Sequence, residues 1–204
     1  FIKHILSPTS IVAEGETFQT LVIGGSFYQK AKMKKINGNI QILEHDQGPQ
    51  PPFLSKESLM TFIESHIESE AKTVALNFAY PMKPISRGGL LDGTLVSGSK
   101  ENTFVDLVGH NVGEEIEKYM QEKHARSIRV SAANDTICLL LSGLIHHPWD
   151  AIAAGIVGTG LNFAIFLDQL TTVNLETANF DKFPQSEAGK LIDEMSVAPR
   201  DALY

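Results

Sequence analysis

The sequence predicts a mixed α/β fold, a sheet that opens with an antiparallel meander and is flanked by helices. Three observations predict it. An Asn37-Gly38 pair and a Gly24-Gly25-Ser26 triplet separate three strand-like runs near the start, and Asn-Gly favours the tight turns of hairpins. From residue 56 onward, helical and strand periodicities alternate, the pattern of helices packed on a sheet. Finally, the runs IRVSAANDT (128–136) and AIAAGIVGTGLN (151–162) carry a carboxylate and a small glycine-rich loop at their ends. Ligands of open α/β sheets gather at the carboxyl ends of strands.

Composition narrows the class. The chain has 204 residues, 43% apolar and 20% charged, as in ordinary globular proteins. The formal charge of −7 comes without a basic patch and argues against nucleic acid as a main partner. A nucleotide is still compatible, since backbone N–H groups and Mg²⁺ can hold its phosphates. The single cysteine, Cys138, excludes an internal disulfide and fits a reducing compartment. No run of 18 apolar residues and no signal-peptide pattern is present, so the expectation is a cytoplasmic protein without a membrane partner.

In order, residues 1–16 read as a lead-in with a turn at Ser7-Pro8-Thr9-Ser10. Residues 18–25, 27–34 and 39–44 form the meander, and 47–52 a loop. Ser55 reads as the N-cap of a helix over about 56–70, with Leu59, Phe62, Ile63 and Ile67 at helical spacing. Residues 73–80 read as a buried strand, and the glycine-containing stretch 85–102 as a loop. Val105, Val108, Val112, Ile116 and Tyr119 define an amphipathic helix. Residues 128–132 read as a strand, 136–145 as an apolar helix, then 151–157, 163–167 and 172–175 as strands and 187–195 as a helix.

Asp135 is the first chemical candidate. A carboxylate at a strand end can take a proton from an attacking hydroxyl, while the plainer role for Asp135 or Asn134 is to cap the helix that follows. The two roles can coexist. Gly158-Thr159-Gly160 and Gly24-Gly25-Ser26 are suited to a phosphate and equally to simple hairpin turns. Asn162 and Glu176 are polar residues in apolar strands and need partners, with sugar hydroxyls one source and backbone another. His146-His147 lack companions at metal-ligand spacing and suit a helix C-terminus. Cys138 reads as core, and no nucleophile-elbow signature occurs.

Taken together, these stretches resemble the eukaryotic-type hexokinase family of the actin-like ATPase superfamily. LSPTSIVAEGETFQTLVIGGS (6–26) is similar to that family's lead-in and first phosphate loop, and NFAYP (77–81) to its sugar-loop strand. VSAANDT (130–136) resembles the segment with the catalytic aspartate, and GIVGTGLN (155–162) the second phosphate loop. TVNLETANF (172–180) is similar to a later sugar-contacting strand, and LIDEMSVAPRDALY (191–204) to the helix and turn after it. The order and spacing agree over nearly the whole chain.

The resemblance implies an actin-like ATPase / ribonuclease H-like mixed sheet. It makes Asp135 the general base for a sugar hydroxymethyl group. Thr94, Asn134, Asn162 and Glu176 would hold ring hydroxyls. Gly158, Thr159 and Gly160 would face ATP phosphates, as would Gly24, Gly25 and Ser26 across the cleft. ATP and Mg²⁺ are the implied cofactors, and a hexose, glucose foremost, the implied substrate. The expected division is a lead-in over 1–16, a small domain over 17–132 and the first part of a large domain over 133–204, with a hinge near 132–135.

Three positions depart from the family pattern. Val22 stands at the acidic position of D-x-G-G-T, Leu95 follows Thr94 where the family has Thr-Lys, and Ala79 replaces a serine. Lys100 in the same loop is a candidate substitute for the lysine. A family sugar-binding glutamate would follow directly after Tyr204, and the adenosine-binding part later still. The expectation is therefore a portion of a hexokinase phosphorylating the 6-hydroxyl, itself with little or no activity. The rival expectations are a non-catalytic sugar-binding relative and an actin-like ATPase acting on a non-sugar substrate.

Overall fold

The computed structural model describes residues 2–6, 11–98, 101–157, 161–175, 177 and 186–195. Its larger sheet has the order β4 (Asn39–Pro49), β3 (Phe27–Ile36), β2 (Thr17–Ile23), β5 (Thr73–Phe78), β8 (Arg129–Ala133). β2, β3 and β4 form the expected antiparallel meander. β5 and β8 then add in parallel. Asn37 and Gly38 both take left-handed φ values, 52° and 76°, as a type I′ hairpin turn requires. β4 runs to Pro49, because its partner β3 pairs down to Phe27, so the expected loop at 47–52 begins only after that strand.

The helices follow local signals. Ser55 caps α1 (Lys56–His66) in a reciprocal capping box with Ser58, satisfying donors the helix leaves open. α1 ends at His66, short of residue 70. Buried Gln19 donates to the His66 carbonyl at 2.6 Å and accepts from the Glu68 N–H at 2.8 Å, which closes the helix end from β2. α2 spans Val112–His124 and does not reach back to Val105. Phe104 and Asp106 have φ values of 48° and 67°, outside helical geometry. Val105 instead bridges to Ser55.

The stretch 85–102 is not wholly a loop. β6 (Met82–Arg87) and β7 (Leu90–Leu95) form a hairpin through Gly88-Gly89, whose φ values are 59° and 85°. Glycine and proline density masked these strands. α3 (Asp135–Ser142) continues into a 3₁₀ turn, Gly143–Ile145. β9 (Ala153–Val157), β10 (Leu161–Asp168) and β11 (Thr171–Asn174) form the second sheet, and α4 (Glu187–Glu194) is the last described helix. β1 (Ile2–Ile5), inside the expected lead-in, pairs antiparallel with β11, giving the order β1-β11-β10-β9.

Successive strand residues face opposite sides of a sheet, and this alternation sets the cores. Leu21, Ile23, Val74, Leu76, Phe78, Val130 and Ala132 pack against Leu59, Met60 and Ile63 of α1 and Ile116 and Met120 of α2. A second core gathers Ala133, Ile137, Leu140, Ala154 and Ala164. The chain passes from one core to the other between Ala132 and Ala133, immediately before Asn134 and Asp135. Among the described residues, no helix is long and apolar enough to cross a membrane.

Candidate active site

β8 delivers Asn134 and Asp135 to the start of α3, and the cap ambiguity resolves there. Asn134 is the N-cap, accepting from the Thr136 N–H at 3.0 Å. The same Oδ1 accepts from the Asn174 side-chain amide at 3.0 Å. Asn162 in turn donates to the Asn174 oxygen at 2.8 Å and to the Thr136 hydroxyl at 2.9 Å. The Asn162 oxygen accepts from the Phe163 and Thr177 N–H groups. Three asparagines and Thr136 thus form one linked set joining the end of β8 to β10 and β11. Burying such amides is favourable only with partners, and each member supplies the next.

Asn174 was not among the sequence candidates. Its signal was of the kind that singled out Asn162: an amide side chain in an otherwise packed strand, here 1% exposed.

Asp135 is the first helical residue. Its Oδ1 accepts from the Thr136 N–H at 2.8 Å and the Thr136 hydroxyl at 3.2 Å. Burial raises its pKa above the ordinary carboxylate value, and hydrogen bonds from Thr136 and Asn134 oppose that shift. Among the described residues, no lysine or arginine pairs with it. A half-buried carboxylate with a raised pKa is a stronger proton acceptor than an exposed one.

Gly24-Gly25-Ser26 follow β2, and Gly24 N–H donates to the Phe27 carbonyl at 3.0 Å to close the turn. A Cβ at Gly24 would come within 2.9 Å of that oxygen, which explains this glycine internally. Gly25 and Ser26 are exposed. Val22 lies near the same strand end, on the face opposite the larger core and in register with Asn77.

Thr94 sits on β7 with its hydroxyl donating to Asn111 Oδ1 at 2.8 Å. No hydrogen bond joins it to Asn134, Asp135 or Asn162 among the described residues. Its neighbour Leu95 is fully buried in the larger core, so a side chain at that position packs inward rather than toward a ligand. Gly158, Thr159, Gly160, Glu176 and Lys100 lie outside the described residues. The exposed His146 and His147 are remote from this set by bonding, their N–H groups donating to the Gly143 carbonyl. Cys138 packs against the second core, and burial pushes its thiol up to about 12.

A second polar set holds the hairpin in place. Arg87 makes a bidentate pair with Glu117 at 2.6 and 3.0 Å and reaches Asp92 Oδ2 at 3.2 Å. Glu117 also accepts from the Val130 N–H at 2.7 Å. The hairpin, α2 and β8 are thereby cross-linked.

The two packed sheets, with polar groups where the parallel strands end, define a protein of the actin-like ATPase fold, the fold of its hexokinase and sugar-kinase neighbours. A hexokinase from Schistosoma mansoni complexed with glucose superposes with a TM-score of 0.73 over 97% of this chain and 50% of that one, at 21% identity. A ROK family glucokinase from Streptomyces griseus, in complex with glucose and AMPPNP, gives 0.54 over 84% and 51%, at 14% identity. Residues 53–145 match the hexokinase family model. Hexokinase-2 of Oryza sativa subsp. japonica and Hexokinase-1 of Spinacia oleracea are each 26% identical over the whole chain and 48% of their own length. The chain is therefore similar to hexokinases along its whole length, and it spans about half the length of the curated relatives it matches.

Proposed function

We propose that this chain is the sugar-side and phosphate-side portion of an ATP-dependent hexose kinase acting on the 6-hydroxyl, with glucose the foremost substrate. The observation that carries the reading is the half-buried Asp135 carboxylate at the start of α3, beside the asparagine set. In this reading Asp135 accepts the proton of the hydroxymethyl oxygen as that oxygen attacks the γ-phosphorus, and ADP leaves. Asn134, Asn162, Thr94 and Glu176 are assigned to the ring hydroxyls. Asn174 keeps Asn134 and Asn162 in one orientation, which favours catalysis by positioning. Residues 24–26 and 158–160 are assigned to the ATP phosphates. Gly25 supports this fit, since nothing inside the protein lies within 4 Å of where its Cβ would be. Mg²⁺ bound with the nucleotide supplies charge neutralisation for phosphoryl transfer.

We assign residues 17–132 to a small domain and 133 onward to the start of a large one. The change of core inside β8 supports a hinge near 132–135. The 204-residue chain alone is proposed to have little or no kinase activity and to work in the cytoplasm. A second reading, a sugar-binding relative without catalysis, is favoured by Val22, which places no carboxylate at the end of β2.

The deciding experiment is ADP release by the longest natural form of the protein, with Mg²⁺-ATP, a hexose panel and an Asp135→Ala control. Hexose-dependent release lost in the control supports the kinase. Sugar binding with no release supports the second reading, and release without any hexose excludes both.

A further inference from the structure

The turn after β2 has all three of its carbonyls tied inward. The Gly24 carbonyl accepts from the Gln50 side-chain amide at 2.6 Å and from the Tyr80 hydroxyl at 2.9 Å. The Ser26 carbonyl accepts from the Gln50 N–H at 3.0 Å. The Gly25 carbonyl takes a longer contact, 3.5 Å, from the Asn102 amide. That amide belongs to a 2% exposed residue whose own oxygen accepts from the Phe53 N–H. Tyr80 is likewise buried, and its ring packs against Phe78 and Phe104. The donors come from three separate segments, beyond β4, beyond β5 and before α2. A turn needs no such reinforcement for its own stability.

The consequence appears on the other side of the peptide planes. A peptide's N–H points away from its C=O, so anchoring the carbonyls fixes the donors' directions too. Among the described residues the Gly25 and Ser26 N–H groups have no partner, and both residues are exposed. Gly25 has neither a left-handed φ nor any atom within 4 Å of an added Cβ. Nothing inside the fold requires glycine there, whereas close approach of an external group does.

We propose that Gln50 and Tyr80 are positioning residues for polyphosphate recognition. By holding the Gly24 carbonyl inward they aim the Gly25 N–H, which shares its peptide plane, at the phosphates of a nucleotide. Successive outward N–H groups are a general device for anions. Asn102, through its longer contact to the Gly25 carbonyl, orients the Ser26 N–H in the same way and more weakly. The inference rests on the kinase reading above and adds residues that reach the nucleotide only through the turn.

The test is calorimetric titration of the longest natural form with Mg²⁺-ATP, inorganic tripolyphosphate and glucose, separately. Tyr80→Phe and Gln50→Leu should each weaken both phosphate ligands by about three- to tenfold and leave the glucose Kd within twofold. Gly25→Ala, which should fold normally, should weaken the phosphate ligands by a similar factor or more, since a methyl group would occupy the approach. Unchanged phosphate affinity in folded Tyr80→Phe and Gln50→Leu, or equal loss for glucose and phosphate, would overturn the positioning role. A wild type that binds glucose and neither phosphate ligand would overturn the kinase reading itself, a result distinguishable from the others.

Discussion

The side-chain amide of Asn174 donates to Asn134 Oδ1 at 3.0 Å, joining the last strand of the second sheet to the cap of α3. Asn162 enters the same arrangement through Asn174 and Thr136. Replacing Asn174 with leucine removes the central partner and buries unpaired amides beside it. The expected loss is roughly 1–3 kcal/mol of stability, measured by urea unfolding. Glucose binding should weaken in the same variant while tripolyphosphate binding is retained.

The buried Asp92 carboxylate accepts from the Gly93, Gly113 and Glu114 N–H groups and from Arg87. It caps α2 from a neighbouring strand, the role that Asn111 at the N-cap does not perform with its own side chain. Glycine to alanine in a helix ordinarily stabilises by up to about 1 kcal/mol. At Gly113 the added Cβ would meet the Asp92 carboxylate at 2.9–3.0 Å, so Gly113→Ala should destabilise, by about 1–3 kcal/mol. Thermal unfolding of Gly113→Ala, Asp92→Ala and the double variant should show clear non-additivity, since both changes break one contact.

Burial raises the Asp135 pKa, so the folded state holds this proton more tightly than the unfolded chain does. Its contribution to stability is complete below the ordinary carboxylate value and is lost as pH rises through the folded value. Asp135→Asn should therefore be more stable than wild type at neutral pH. The gap should close on acidification toward about pH 4, and paired denaturation curves from pH 4 to 8 check it. In the proposed role of Asp135 as the base, which must be ionised, activity should move oppositely and fall as pH drops through the raised value.

His4 faces Thr172 across the β1–β11 pair. Among the described residues, its Nε2 and the Thr172 hydroxyl are buried without hydrogen-bond partners. Burial pulls the His4 pKa from 6.5 down to about 4, so the fold keeps the ring neutral. Stability is full above the unfolded value and is lost as pH falls from 6.5 toward 4. The full loss is about 3 kcal/mol. His4→Leu should flatten that part of the pH–stability curve, which chemical denaturation at successive pH values would show.

Local signals carried much of this fold. The Asn37-Gly38 turn, the Ser55 cap and the strand leading into Asn134 and Asp135 were all legible, because backbone sterics and capping act within a few residues. The hairpin of β6 and β7 was not, since its Gly88-Gly89 turn and Pro84 read as loop composition. Val105 and Val108 fall at helical spacing yet lie ahead of α2 and are exposed, Val105 bridged to Ser55 and Val108 in a turn, because periodicity does not register left-handed φ values. β1 was missed for a different reason. Its partner β11 is far along the chain, and only tertiary pairing makes a strand of it. The same distance hid the Gln50 and Tyr80 contacts to Gly24, along with the Asn174 link to Asn134. Asp135 could be picked out by its place at a strand end, whereas what orients its neighbours depends on how the two sheets meet.

Asp135 is proposed to serve phosphoryl transfer to a hexose 6-hydroxyl. The most direct measurement is ³¹P NMR of the products formed from Mg²⁺-ATP and glucose by the longest natural form, alongside its Asp135→Asn variant. A phosphate monoester at C6 is expected from the wild type, with that signal lost in the variant by at least about 100-fold while glucose stays bound. A wild type that binds glucose and forms no ester, or a variant that forms it at an undiminished rate, would contradict it.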